Sequence, residues 1–131
     1  HIDGLTEFAG ENPPTHGTLS HERWRRYASP VWMDINFSNT LNAKAARDND
    51  DERHVCPMAL DLIERAIQLW SNPGDVVFDP FSGVGSTGYQ AIRMGRKFAG
   101  SELKKSYFEQ AVKNIGSAKA NQGALFESEA A

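Results

Sequence analysis

Asp75-Val76-Val77-Phe78-Asp79-Pro80-Phe81-Ser82-Gly83-Val84-Gly85-Ser86-Thr87-Gly88 is the stretch whose reading decides the fold. Val76, Val77 and Phe78 form a continuous apolar run, as in a parallel strand covered on both faces. Asp79-Pro80 ends that strand, because proline cannot donate to a central ladder. Gly83 and Gly85 allow a sharp turn and close approach of the backbone to a ligand. Ser86 and Thr87 then open a helix, whose first N–H groups and positive dipole end favour an anion.

Outward from this loop, Pro57 to Trp70 carries a helical period. Leu60, Ile63, Ile67 and Trp70 lie on one stripe, widened by Leu62, Ala66 and Leu69, with Asp61, Glu64, Arg65 and Gln68 opposite. Pro57 suits the first helical position, and Ser71-Asn72-Pro73-Gly74 stops the helix. Downstream, a second helix is expected from Ser86 to Met94 with Gly95 as its stop, then a short strand Lys97-Phe98-Ala99-Gly100-Ser101. The two strands joined through a helix make a βαβ unit. A third helix is expected from Ser106, with Glu109 completing a capping box, to Gly116. Upstream, Ser29 to Phe37 reads as a short strand, 38–42 as a turn, and Ser20 to Tyr27 as a short helix. The acidic run Asp48-Asn49-Asp50-Asp51-Glu52 reads as a solvated loop rather than a metal site. The resulting division is a linker or upstream remnant at 1–29, a partial α/β domain at 30–116 and a flexible tail at 117–131.

The 131 residues carry 40% hydrophobic and 24% charged side chains, which suits one globular domain with a modest core. A formal charge of −3 gives no global footprint for nucleic acid. Locally, residues 93–119 hold seven basic side chains against Glu102 and Glu109, a face that either contacts phosphate or is simply solvated. No apolar run approaches the roughly 20 residues of a membrane span, and no secretory signal is visible. Cys56 is the single cysteine, which excludes an intrachain disulfide and a cysteine-based metal cluster. These features agree with a reducing, cytoplasmic setting. His54 and Cys56 together fall short of the roughly four ligands of a zinc site, so no metal is expected. Trp24, Trp32 and Trp70 read as packing residues.

Gly83-Val84-Gly85-Ser86-Thr87-Gly88 fits G-x-G-x-x-G, and Glu102 follows Gly83 by about 20 residues, where a carboxylate can accept from ribose hydroxyls. On this pattern alone a dinucleotide such as NAD or FAD competes with S-adenosyl-L-methionine, and an oxidoreductase fragment competes with a methyltransferase. A phosphate-binding P-loop is excluded, since no Lys-Ser or Lys-Thr follows the glycines.

Asp79-Pro80-Phe81-Ser82-Gly83-Val84-Gly85-Ser86-Thr87 resembles the D-P-F-x-G-x-G-S/T-S/T motif of the amino-group DNA methyltransferases, which make N6-methyladenine or N4-methylcytosine. Arg53-His54-Val55-Cys56-Pro57 resembles the family's cofactor segment before the strand, Ser101-Glu102-Leu103-Lys104 its acidic motif, and Trp32-Met33-Asp34-Ile35 its W-x-D/E-I strand. The resemblance covers about residues 30–116 and extends to phage-encoded members. It implies a Rossmann-like S-adenosylmethionine-dependent fold, double-stranded DNA as partner, restriction–modification and a bacterial or phage-infected cell.

The motif order resembles the permuted subgroup, whose cofactor half comes last. The chain therefore reads as a C-terminal, cofactor-binding part of such an enzyme. Asn12-Pro13-Pro14-Thr15 is the only near match to the catalytic Asp-Pro-Pro-Tyr type motif. Thr15 replaces the aromatic and no apolar strand precedes it, so no catalytic residue is assigned.

By resemblance, Asp79, Pro80, Phe81, Ser82, Gly83 and Gly85 hold the methionine portion of the cofactor. Ser86 and Thr87 bond its carboxylate, Phe81 forms a pocket wall, Glu102 takes the ribose hydroxyls and Leu103 flanks the adenine. His54 and Pro57 belong to the preceding cofactor segment, with a plain loop hydrogen bond as the alternative for His54. A non-catalytic interaction domain that keeps the fold is a third reading. A lone half-domain also exposes a sheet edge, which predicts association, a homodimer being the simplest form.

Overall fold

The computed structural model describes residues 24–41 and 57–129, with side chains through 121. His54, Cys56, Asn12-Pro13-Pro14-Thr15 and the acidic run at 48–52 lie outside the described residues. Among the described residues a helical turn at 24–27, the described part of the short helix expected there, is followed by α1 Leu60–Trp70, β1 Val76–Asp79, α2 Ser86–Arg93, β2 Lys97–Gly100 and α3 Lys105–Glu129. β1 and β2 pair in parallel, with Val76 opposite Lys97 and Asp79 opposite Gly100. A parallel pair needs a crossover, and α2 supplies it, as the glycine-loop stretch predicts.

α2 is the hub, packing on α1, α3 and both strands. The core joins Leu60, Ile63 and Ile67 of α1 to Ala91 of α2, with Val77, Tyr89, Met94 and Phe98 against them. Gly88 is required at the centre of this packing. A Cβ there would lie 2.7 Å from both Phe98 and Ile115.

Several boundaries differ from the sequence expectation. Helix α1 starts at Leu60, three residues after Pro57. Its entry is set from the upstream segment, where the Asn39 carbonyl accepts the Leu60 N–H at 2.7 Å. Asp61 in its first turn accepts from the Asn36 N–H at 3.0 Å and the Asn39 side-chain amide at 2.6 Å. Residues 29–37 form no strand. They have no ladder partner among the described strands, and side chains anchor them instead. Asp34 is bonded by Arg65 through two contacts at 2.8 and 2.9 Å and by Arg26.

Arg65 belongs to the polar face by helical period, yet it is buried. Its guanidinium lies 4.7 Å from the Tyr27 ring and 5.1 Å from the Trp32 ring. Two aromatic faces and a bidentate carboxylate offset part of the desolvation of this buried cation, whose Nε is left buried without a hydrogen-bond partner among the described residues. Trp70 and Ala66, placed on the core stripe by the same period, are exposed instead, Trp70 by 83%.

α3 begins one residue before Ser106, so Ser106 sits in the first turn rather than at the cap. The helix also runs through Gly116 to Glu129. Glycine costs a helix only about 1 kcal/mol, and burial of Ala118 beyond it favours continuation. The tail expected at 117–131 is thus helical through Glu129.

Candidate cofactor-binding site

The loop between β1 and α2 is held by a ring of short bonds that begins with Asp79. Its carboxylate accepts the Phe81 N–H at 2.9 Å, an Asx-type turn that bends the chain out of the strand. The residues following β2 then tie the loop down. The Ser82 N–H donates to the Ser101 carbonyl at 2.9 Å, and the Ser101 hydroxyl donates to the Pro80 carbonyl at 2.7 Å. The Gly85 N–H closes the turn on the Ser82 carbonyl at 2.8 Å. Gly85 takes φ 83°, the left-handed conformation that glycine adopts freely, and caps α2 from there.

Glu102 faces this loop. One carboxylate oxygen accepts the Gly83 N–H at 2.8 Å, and the other accepts the Lys104 N–H at 2.9 Å. The second bond serves the start of α3, where the Lys104 carbonyl accepts the Phe108 N–H. A carboxylate has about four acceptor sites, so two backbone donors leave capacity for hydroxyl donors. Leu103 and Phe81 carry their side chains into solvent, Phe81 by 87%. Plain core packing, the alternative for Phe81, is therefore not what this residue does. Around Gly83, the position of a Cβ meets open space. Acceptor capacity, exposed apolar walls and an open backbone turn fit a nucleoside-type ligand.

Ser86 is buried at the first position of α2 and Thr87 beside it is half-buried. Thr87 borders an apolar groove of about 340 Å³ with Met58, Leu62, Trp70, Val76 and Val77. That groove lies between α1 and β1 and does not include Asp79, Gly83 or Glu102. Pro57 is half-buried ahead of α1.

Of the basic side chains at 93–119, Arg96 is structural. It is buried and donates to the Ser71 carbonyl at 2.8 Å and the Met94 carbonyl at 2.6 Å, tying the end of α1 to the entry of β2. A partner of the loop that sequence reasoning missed is Asn114, whose side-chain amide donates to the Val84 carbonyl at 2.8 Å. The signal was present: Asn114 falls three residues after Ala111 and four before Ala118, so it is a polar residue on the buried stripe of α3.

A family profile for DNA methylases matches residues 11–113. The chain belongs to this DNA methylase family. It is 45% identical over 99 residues to the type II methyltransferase M1.MboII of Moraxella bovis, covering 76% of the chain and 34% of the relative. It is 41% identical over 64 residues to the DNA adenine methyltransferase YhdJ of Escherichia coli K12, covering 49% of the chain and 22% of the relative. Among solved structures it is similar to TTHA0409 of Thermus thermophilus, a proposed DNA modification methylase crystallised with S-adenosyl-L-methionine. The TM-score is 0.56 at 30% identity, over 76% of this chain and 33% of that one. The small parallel sheet with flanking helices is thus part of the Rossmann-like methyltransferase fold. The family match decides against the dinucleotide oxidoreductase reading. This methylase chain spans about a third of the length of M1.MboII and TTHA0409.

Proposed function

We propose that this chain binds S-adenosyl-L-methionine at the Asp79–Thr87 loop and serves as the cofactor part of a DNA methyltransferase acting on the N6 amino group of adenine. The observation that carries the reading is the Glu102 carboxylate bonded to the Gly83 N–H of the loop, with Phe81 and Leu103 exposed beside it. Adenine is favoured over cytosine because YhdJ is a DNA adenine methyltransferase.

Each group has a defined task. Glu102 accepts the ribose hydroxyls, and Phe81 and Leu103 cover the apolar parts of the nucleoside. The first-turn N–H groups of α2, with Thr87, meet the methionine carboxylate. Asp79 holds the turn in the shape that leaves room for the methionine portion. His54 and Pro57 fall in the stretch that resembles the family's cofactor segment, and they are assigned to cofactor binding on that resemblance. When bound, the cofactor supplies a methyl made electrophilic by its sulfonium. The protein's contribution to rate is then positioning and electrostatics, with the target base turned out of the duplex toward the pocket. No metal is required for this transfer.

The Asp-Pro-Pro-Tyr type group that would accept the amino hydrogens lies elsewhere, and Asn12-Pro13-Pro14-Thr15 does not replace it. The chain by itself is accordingly expected to bind cofactor without methylating DNA. Calorimetry with S-adenosylhomocysteine and transfer of a labelled methyl to duplex DNA test the two parts separately. A folded sample with no heat at millimolar ligand would overturn the cofactor site. Methyl transfer by the chain alone would overturn the division of labour.

A further inference from the structure

We infer that Asn114, on α3, is a positioning residue that sets the shape of the glycine loop before any ligand arrives. The inference rests on the reading that this loop takes the cofactor, and it concerns a residue 30 positions away from the loop carbonyl it holds.

The Val84 carbonyl sits between the two loop glycines, one residue ahead of the Gly85 cap of α2, and falls outside the α2 ladder. The Val84 side chain is buried against Leu41 and Tyr107, so its carbonyl lies close to apolar groups. A backbone acceptor in such a place needs a partner. Asn114 Nδ2 provides it at 2.8 Å. The Asn114 amide is itself oriented, because Gln110 Nε2 donates to its Oδ1 at 3.0 Å. The relay Gln110 to Asn114 to Val84 directs a donor at the loop and excludes the flipped amide, which would place oxygen against oxygen.

The relay also explains why α3 must lie so close to the loop. A Cβ on Gly85 would fall 2.9 Å from the Ala111 Cβ and 3.0 Å from its Cα, so helix backbone and loop backbone are in near contact at the turn preceding Asn114. Holding the Val84 carbonyl fixes the plane of the Val84–Gly85 peptide. That plane fixes the entry of α2 and with it the direction of the first-turn N–H groups. Glu102 holds the Gly83 N–H, and Asn114 holds the Val84 carbonyl. The loop is thus clasped at two consecutive residues, and of the two clasping side chains the Glu102 carboxylate retains acceptor capacity for a ligand.

The test replaces the donor without changing volume. In Asn114→Asp the carboxylate opposes the Val84 carbonyl. S-Adenosylhomocysteine binding is expected to weaken about tenfold or more at pH 8 relative to the wild type. As the pH is lowered from 8 toward about 4.5, the protonated fraction of the new carboxyl grows, favoured by the opposing Val84 carbonyl, and this form can donate again, so the ratio of variant to wild-type affinity is expected to rise. A residue that merely filled space would leave that ratio flat. Amide hydrogen exchange over 82–88 without ligand is expected to be faster in Asn114→Asp than in the wild type.

If Asn114→Asp does not fold, Gln110→Leu removes only the orienting bond, and it should give a smaller loss of affinity with the same gain in loop exchange. Wild-type affinity and wild-type loop exchange in the folded variants would overturn the inference. Failure of the wild type itself to bind, with loop exchange still raised in the variants, would instead defeat the cofactor reading and leave the clasp standing.

Discussion

The Gly83 N–H and the Glu102 carboxylate meet at 2.8 Å, although 19 residues separate them. The acidic residue after β2 is therefore part of the loop's own structure, in addition to the ligand role proposed for it. Removing it should act twice, by freeing the Gly83 turn and by removing the ribose acceptor. Glu102→Ala is expected to weaken S-adenosylhomocysteine binding by about tenfold or more, as loss of hydrogen bonds to a charged group implies. Glu102→Gln should retain part of this, since one amide oxygen can still accept while the NH2 opposes a backbone donor. Calorimetry on both variants checks the order, and equal affinities for wild type and Glu102→Ala would remove Glu102 from the site.

Gly85 combines φ 83° with a Cβ position 2.9 Å from Ala111. Gly85→Val is expected to lower unfolding stability by about 2–4 kcal/mol, strain and overpacking acting together. Gly83→Ala is the control, because its Cβ meets open space and only the φ of 54° is unfavourable. Its cost should stay near 1 kcal/mol. Denaturant titration of the two variants separates crowding from backbone strain, and equal losses would show that contact with Ala111 contributes nothing.

Acid sensitivity should come from the segment ahead of α1. Arg65 first, then Arg26, hold the Asp34 carboxyl well below the usual carboxylate range. The side-chain amide of Asn39 and the backbone N–H of Asn36 lower Asp61 as well. A depressed folded pKa adds stability that is present above the unfolded value of about 4 and is lost as pH falls from there toward the folded pKa. The melting temperature is therefore expected to fall below about pH 4, and to fall less steeply in Asp34→Asn. Thermal scans between pH 3 and pH 6 decide this, an unchanged acid slope in the variant counting against Asp34.

One face of the chain is apolar and open. Trp70 is 83% exposed, Phe78 67% and Val76 62%, although β1 has the composition of a doubly covered strand. An uncovered apolar patch beside a free strand edge favours association. Sedimentation velocity over a range of concentrations is expected to show self-association that Trp70→Glu and Val76→Lys reduce. A monomer at all concentrations for the wild type would exclude it.

Which parts of this were readable in advance follows from the range of the forces involved. The amino-acid sequence by itself determined the strand, the glycine loop and the helix from Val76 to Arg93, because apolar run, proline, glycine and helix start are local signals. It also placed Glu102 after the second strand and named the family through Asp79-Pro80-Phe81. Tertiary structure alone decided what each side chain touches.

Arg65 follows the polar period of α1 yet is buried, because Asp34, Tyr27 and Trp32 converge on it from a segment about 30 positions upstream. Residues 29–37 have strand composition but no strand, since a ladder needs a neighbour that no local pattern can supply. α3 passes Gly116, because helix contacts outweigh one unfavourable residue. Asn114 could be seen only as a polar residue on a buried stripe. That it holds the Val84 carbonyl depends on how closely α3 approaches the loop, a distance set by packing across the whole unit.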